Sequence, residues 1–145
     1  MTHQNEGHYA AKHPPGTALD PKICEALEKK QANGKITCAA AHSVADDLGL
    51  SPAEIGVALD LLEIRIHRCQ LGLYGYSPEK KIVKPAGDVS PALKDAIEQA
   101  MAGDRISCLS CWRVAKNLNI GKMDVSAACE CLNIKISPCQ LGAFR

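Results

Sequence analysis

Eight cysteines in 145 residues are the side chains with the most chemistry to offer, and their spacing sorts them into two sets. Cys38 and Cys69 recur, at the same separation, as Cys108 and Cys139. Cys38 follows Thr37 and Cys108 follows Ser107, and both preceding residues are good helix caps. A thiol at a helix N-terminus feels the positive end of the dipole, which favours its thiolate. Three chemistries fit these four residues. They are a redox pair, a metal site using two or all four thiolates, and small buried apolar side chains at a helix–strand junction.

The second set adds Cys111, Cys129 and Cys131. Cys108-Leu109-Ser110-Cys111, followed by Cys129-Glu130-Cys131 and Cys139, has the look of a zinc or iron–sulfur ligand set. Helical geometry argues otherwise, because residues two apart on a helix project about 200° apart and cannot share one ion. No cofactor is expected elsewhere, so zinc or an iron–sulfur cluster on the cysteines is the alternative to none.

The elements that must position these thiols are written twice. A shift of 70 positions lays Pro21–Tyr74 over Pro91–Phe144 without a gap, and self-similarity of this kind decides the fold. Under that shift Cys111 lies over Ala41, Cys129 over Leu59 and Cys131 over Leu61, which reads these cysteines as occupants of apolar positions. Each copy predicts a helix opening on Pro21 or Pro91, then a short extended piece at 35–37 or 105–107. A second helix follows, burying Ala41, Val44, Ala45 and Leu48, or Cys111, Val114, Ala115 and Leu118. After a tight turn, a third helix buries Ile55, Ala58, Leu59 and Leu62, or Val125, Ala128, Cys129 and Leu132. Ser51-Pro52-Ala53-Glu54 forms a capping box at its start in the first copy. A strand through Ile64 and Ile66, or Ile134 and Ile136, ends at Cys-Gln-Leu-Gly. The expected fold class is mainly α with short β-strands. The expected organisation is a disordered tail over 1–20, one repeat over 21–75, a linker or returning strand over 76–90, and a second repeat over 91–145. His3, His8 and His13 in the tail fit a solvated terminus or a weak metal-binding segment.

Helix, short strand, helix, turn, helix, strand resembles the winged helix-turn-helix module, here in tandem. The Val-Ala-x-x-Leu-x-Leu/Ile pattern of each second helix and the three-residue turn carry the likeness. That resemblance implies contact with double-stranded DNA, the third helix in the major groove and a wing at the backbone. Lys80–Lys84 is then the candidate returning strand of the first copy.

Charge separates the two copies. The first copy's third helix is expected to turn Ala53, Glu54, Gly56 and Asp60 outward, with Glu63 just beyond, and such a face repels phosphate. It fits a protein partner or self-association instead. The second copy offers Arg113, Lys116, Lys122, Ser126 and Lys135 as nucleic-acid contacts, opposed by Asp124 and Glu130. The formal net charge is only +1, with no segment of strong basic excess. No catalytic constellation falls on one predicted face, so an enzyme is not expected. No long apolar run marks a signal or a membrane span. The sequence reads as a cytoplasmic, nucleic-acid-associated regulator of transcription. The rival reading is a protein-interaction or thiol/metal-sensing module that does not bind DNA.

Overall fold

The structure is a computed structural model describing residues 9–14 and 16–144. It is mainly helical, with short strands. Helix α1 spans Pro21–Lys30, β1 Lys35–Thr37, α2 Cys38–Leu48, α3 Pro52–Leu61 and β2 Arg65–His67. The same order follows as α4 Pro91–Ala100, β3 Arg105–Ile106, α5 Cys108–Leu118, α6 Lys122–Cys131 and β4 Lys135–Ile136. Each helix of the second series begins 70 residues after its counterpart.

Local chemistry sets the helix boundaries. Asp20 caps α1 by accepting from Lys22 N at 2.8 Å, and Pro21 costs nothing at a position whose N–H has no helical partner. Thr37 Oγ1 accepts from Ala40 N at 3.0 Å to start α2, and Ser107 Oγ from Ser110 N at 3.1 Å to start α5. The capping box at α3 is complete: Ser51 Oγ accepts from Glu54 N at 3.2 Å, and Glu54 Oε2 from Ser51 N at 2.8 Å. Helix α6 has only Gly121 at its cap, so Asp124 Oδ2 alone serves there, accepting from Gly121 N at 3.0 Å. Helices α2 and α5 both stop at a left-handed residue, Gly49 at φ 67° and Asn119 at φ 55°.

The strands pair in parallel. Lys35, Ile36 and Thr37 lie opposite Arg65, Ile66 and His67, and Arg105 and Ile106 lie opposite Lys135 and Ile136. Parallel strands need a crossover, and two helices provide it each time. Residues 76–90 hold neither helix nor strand. Ile82 N and Val83 N instead both donate to Gly72 O, at 2.9 and 3.2 Å.

The chain divides into two units whose borders differ from the repeat borders. One takes the chain up to Cys69 together with Gln140–Phe144; the other takes Gln70–Cys139. Each unit therefore includes the Gln-Leu-Gly segment near the end of the other repeat. The first core contains Leu27, Ile36, Ala41, Val44, Ile55, Leu59, Ile66 and Leu141. The second contains Leu71, Ile97, Ile106, Cys111, Val114, Val125, Cys129 and Ile136. Leu48 and Leu118, expected inside, are each 37% exposed. Each is the last residue before a left-handed cap, so it sits at the end of the buried stripe.

Gly56 shows why the first unit needs its borrowed segment. An added Cβ there would lie 2.7 Å from the Leu141 carbonyl carbon and 3.2 Å from its Cα, with the carbonyl oxygen nearer still. A mid-helix glycine weakens a helix by about 1 kcal/mol relative to alanine. Here it admits the backbone of Leu141, whose side chain is 2% exposed.

Part of the segment over 1–20 lies among the described residues. Tyr9–Lys12 forms a short 3-10 helix, and Tyr9 is 3% exposed. The Glu63 carboxylate accepts from Tyr9 N at 3.0 Å and from Ala10 N at 2.8 Å, satisfying the donors at the start of that turn. Asp60 lies 3.0 Å from Lys12 Nζ and 2.8 Å from His13 Nε2. Lys12 Nζ also donates to Gly142 O at 3.2 Å. The acidic end of α3 thus holds the chain's own N-terminal segment. His3 and His8 lie outside the described residues.

Candidate nucleic-acid interface

The α5–α6 turn draws together cations that are scattered in sequence. Asn119 closes α5 by donating to Lys116 O at 3.2 Å, and Ile120 N donates to Ala115 O at 3.0 Å. Gly121 then reverses the chain directly into Lys122, the first residue of α6. This places the Lys122 ammonium 4.3 Å from the centroid of the Trp112 ring on α5, a cation–π contact. Trp112, Arg113, Lys116, Ile120 and Lys122 line a surface cleft of about 420 Å³.

Its electrostatics favour an anion. Arg113 and Lys116 are exposed and form no ion pair with any described residue. The two acids expected to oppose them are engaged elsewhere. Glu130 pairs with Lys81, and Asp124 caps Gly121 N. The matched positions in the first unit are His42, Ser43, Asp46 and Pro52, which cannot form such a cluster.

Of the five expected contact residues, the cleft gathers Arg113, Lys116 and Lys122. Lys135 is exposed on β4 in register with Arg105, outside the cleft lining. Ser126 corrects the reading: it is 0% exposed, so it faces the interior of its unit and no ligand can reach it. Among the described residues its hydroxyl has no hydrogen-bond partner. The sequence offers Ser126 as a contact only as a polar residue on the third helix. The glycine at the matched position, Gly56, was the available signal, since an isolated helix glycine marks close packing. Trp112 was missed as a lining residue, although it is the chain's single tryptophan.

The cysteines fall into distinct environments, and none is in a disulfide. Cys38, Cys69 and Cys108 are each 4% exposed, while Cys139 is half-buried. Cys108 N donates to Pro138 O at 3.1 Å, which sets the start of α5 beside the residue preceding Cys139. Cys111 on α5 and Cys129 on α6 are buried, at 0% and 1% exposure. Interaction with the Cys129 thiol holds the Cys111 thiol well above its usual range, with burial adding to the effect, and Cys129 is lowered by Cys111. Cys131, two residues on, is exposed. Among the described residues, no three His, Cys, Asp or Glu side chains group as a metal ion requires. Nor is any helix among them long and apolar enough to cross a membrane. No family model, curated protein or solved structure matches the chain.

Proposed function

We propose that this chain is a small non-enzymatic regulatory protein, acting in the cytoplasm, that contacts duplex DNA mainly through its second unit as a tandem winged-helix-type module. One observation supports the reading: Arg113, Lys116 and Lys122 converge on one cleft, and among the described residues no carboxylate pairs with them. Cations so placed neutralise backbone phosphates and set the register of a helix against the groove. Lys122, at the start of the third helix of its unit, stands where base edges are met in helix-turn-helix docking. Lys135, outside the cleft lining, is not counted among the phosphate contacts. The first unit takes no phosphate in this reading, because Asp60 and Glu63 there hold Tyr9–His13.

The test is the salt dependence of duplex binding, followed by fluorescence anisotropy. Three phosphate contacts give a slope of log affinity against log salt of about −2.7, or roughly forty-fold weaker binding between 50 and 200 mM salt. Arg113→Ala combined with Lys116→Ala removes two contacts and brings the slope to about −0.9. Unchanged affinity and slope in that double variant would refute the reading.

A further inference from the structure

We propose that the β1–β2 strand pair of the first unit is a docking face for an extended acidic segment of a partner protein. Carboxylates at alternate positions of that segment meet Lys35 with Arg65, then His67 with Arg68. The face is independent of the DNA contact assigned to the second unit. Strand register builds it. Lys35 lies opposite Arg65 and Thr37 opposite His67, while Ile36 and Ile66 between them are buried. Alternate residues of a strand point the same way, so Lys35, Arg65 and His67 share the outer face. Arg68 follows directly and is exposed. Neighbouring strands run about 4.8 Å apart, and like charges directly opposite each other destabilise a strand pair. Folding alone therefore does not call for Lys35 against Arg65.

The second unit is an internal comparison. It repeats the cation pair, with Arg105 opposite Lys135, and answers it from within. Arg105 Nε donates to Asp104 Oδ1 at 3.2 Å, and Arg105 Nη1 to Ser137 Oγ at 3.1 Å. The matched residues of the first unit are Gly34 and His67, so the carboxylate is gone and an ionisable ring replaces the hydroxyl. Arg68 adds a further cation where the second unit has Pro138. Lys35 and Arg68 form no ion pair with any described residue. Partial burial, then Arg68 and Lys35, hold the His67 imidazole below its usual pKa. The positive potential of the face thus reaches that ring.

Spacing and charge identify the occupant. Two residues along a strand span about 6.6 Å. An extended segment with acids at alternate positions therefore sets one carboxylate level with Lys35 and Arg65 and the next level with His67. A long polyanion fits less well. Over residues 21–75 seven acidic side chains outnumber six basic ones, and a duplex spanning the unit would face those acids as well. A short acidic segment needs only the strand pair, where the cations are gathered.

The test titrates the full chain, at low salt, against a fluorescein-labelled peptide of alternating glutamate and threonine, read by anisotropy. A peptide with glutamine in place of glutamate is the control. The glutamate peptide is expected to bind and the glutamine peptide is not. Lys35→Glu combined with Arg68→Glu should weaken binding about ten-fold or more, because two exposed attractions become repulsions. Lys135→Glu, at the position matched to Arg65, should leave binding unchanged. Lys35→Glu alone sets opposite charges across the strands and should raise the unfolding midpoint, which separates lost binding from lost fold. Proton NMR supplies a second readout on the unaltered protein. Saturating peptide should raise the His67 pKa towards 6.5, its ring signals being assigned from His67→Gln. No binding of the glutamate peptide, equal binding of both peptides, full affinity in the double variant, or an unmoved His67 pKa at saturation would each overturn the proposal. So would duplex binding that Lys35→Glu with Arg68→Glu abolishes and Arg113→Ala with Lys116→Ala leaves intact, since the face would then belong to nucleic acid.

Discussion

Replacing Gly56 by alanine sets two effects of opposite sign against each other. In an open helix position the substitution stabilises by about 1 kcal/mol, because alanine loses less backbone entropy on folding. At Gly56 the new methyl meets the Leu141 carbonyl carbon at 2.7 Å and Cα at 3.2 Å, against 3.4–4 Å for ordinary contact. The obstacle is backbone, so no side-chain rotation relieves it. The segment carrying Leu141 and Ala143, 2% and 3% exposed, must lift from α3 or the helix must move. Releasing a buried leucine costs about 1.5–3 kcal/mol and a methyl about 0.8 kcal/mol. Subtracting the helix gain leaves a net destabilisation of about 1–3 kcal/mol. For a chain of this size about 2 kcal/mol lowers Tm by roughly 4–8 °C. The assay is thermal and urea unfolding of the full chain followed by circular dichroism. Gly87→Ala is the control: nothing lies within 4 Å of its Cβ position and its φ is not positive, so its change should stay within about 0.5 kcal/mol. If Gly56→Ala matches or exceeds the parent protein in stability, the close approach of Leu141 is refuted.

Two further substitutions separate packing from charge. Ser126→Ala removes a hydroxyl that is fully buried without a partner and should stabilise by about 1 kcal/mol; a lower urea midpoint would mean that the hydroxyl is bonded. His67 has its pKa lowered from 6.5 by desolvation first, then by Arg68 and Lys35. The unfolded chain therefore binds the proton more readily. Its contribution to stability is full above 6.5 and declines as pH falls from there towards the folded-state value. His67→Gln should flatten unfolding midpoints across that acidic window, and an unchanged slope would remove His67 as its source.

The parts of this fold that depend on near neighbours in sequence are legible in it. Thr37, Ser51 with Glu54, and Ser107 mark helix starts because a cap reaches only two or three residues along the chain. Alternation at Ile64 and Ile66 marks β2 for a similar reason. What escapes is set by groups far apart in sequence. Nothing in Tyr9–His13 reveals that its amides and side chains meet Glu63 and Asp60. The polar face assigned to Gly56 and Ser126 is buried because small residues admit a second segment of backbone. Hydropathy is silent on that, although a lone glycine in a helix hints at it. The candidate cleft was half legible. The charge of Arg113, Lys116 and Lys122 could be read, but their convergence on Trp112 needs the bend at Asn119–Gly121.

The sharing of Gln70–Leu71 and Gln140–Leu141 between units bears on how the polypeptide is made. On a translating ribosome α3 emerges well before Leu141 is synthesised. The seat opened by Gly56 is vacant throughout that interval, and its apolar floor is wet. The interior of the first unit therefore closes only once the end of the second repeat has been made.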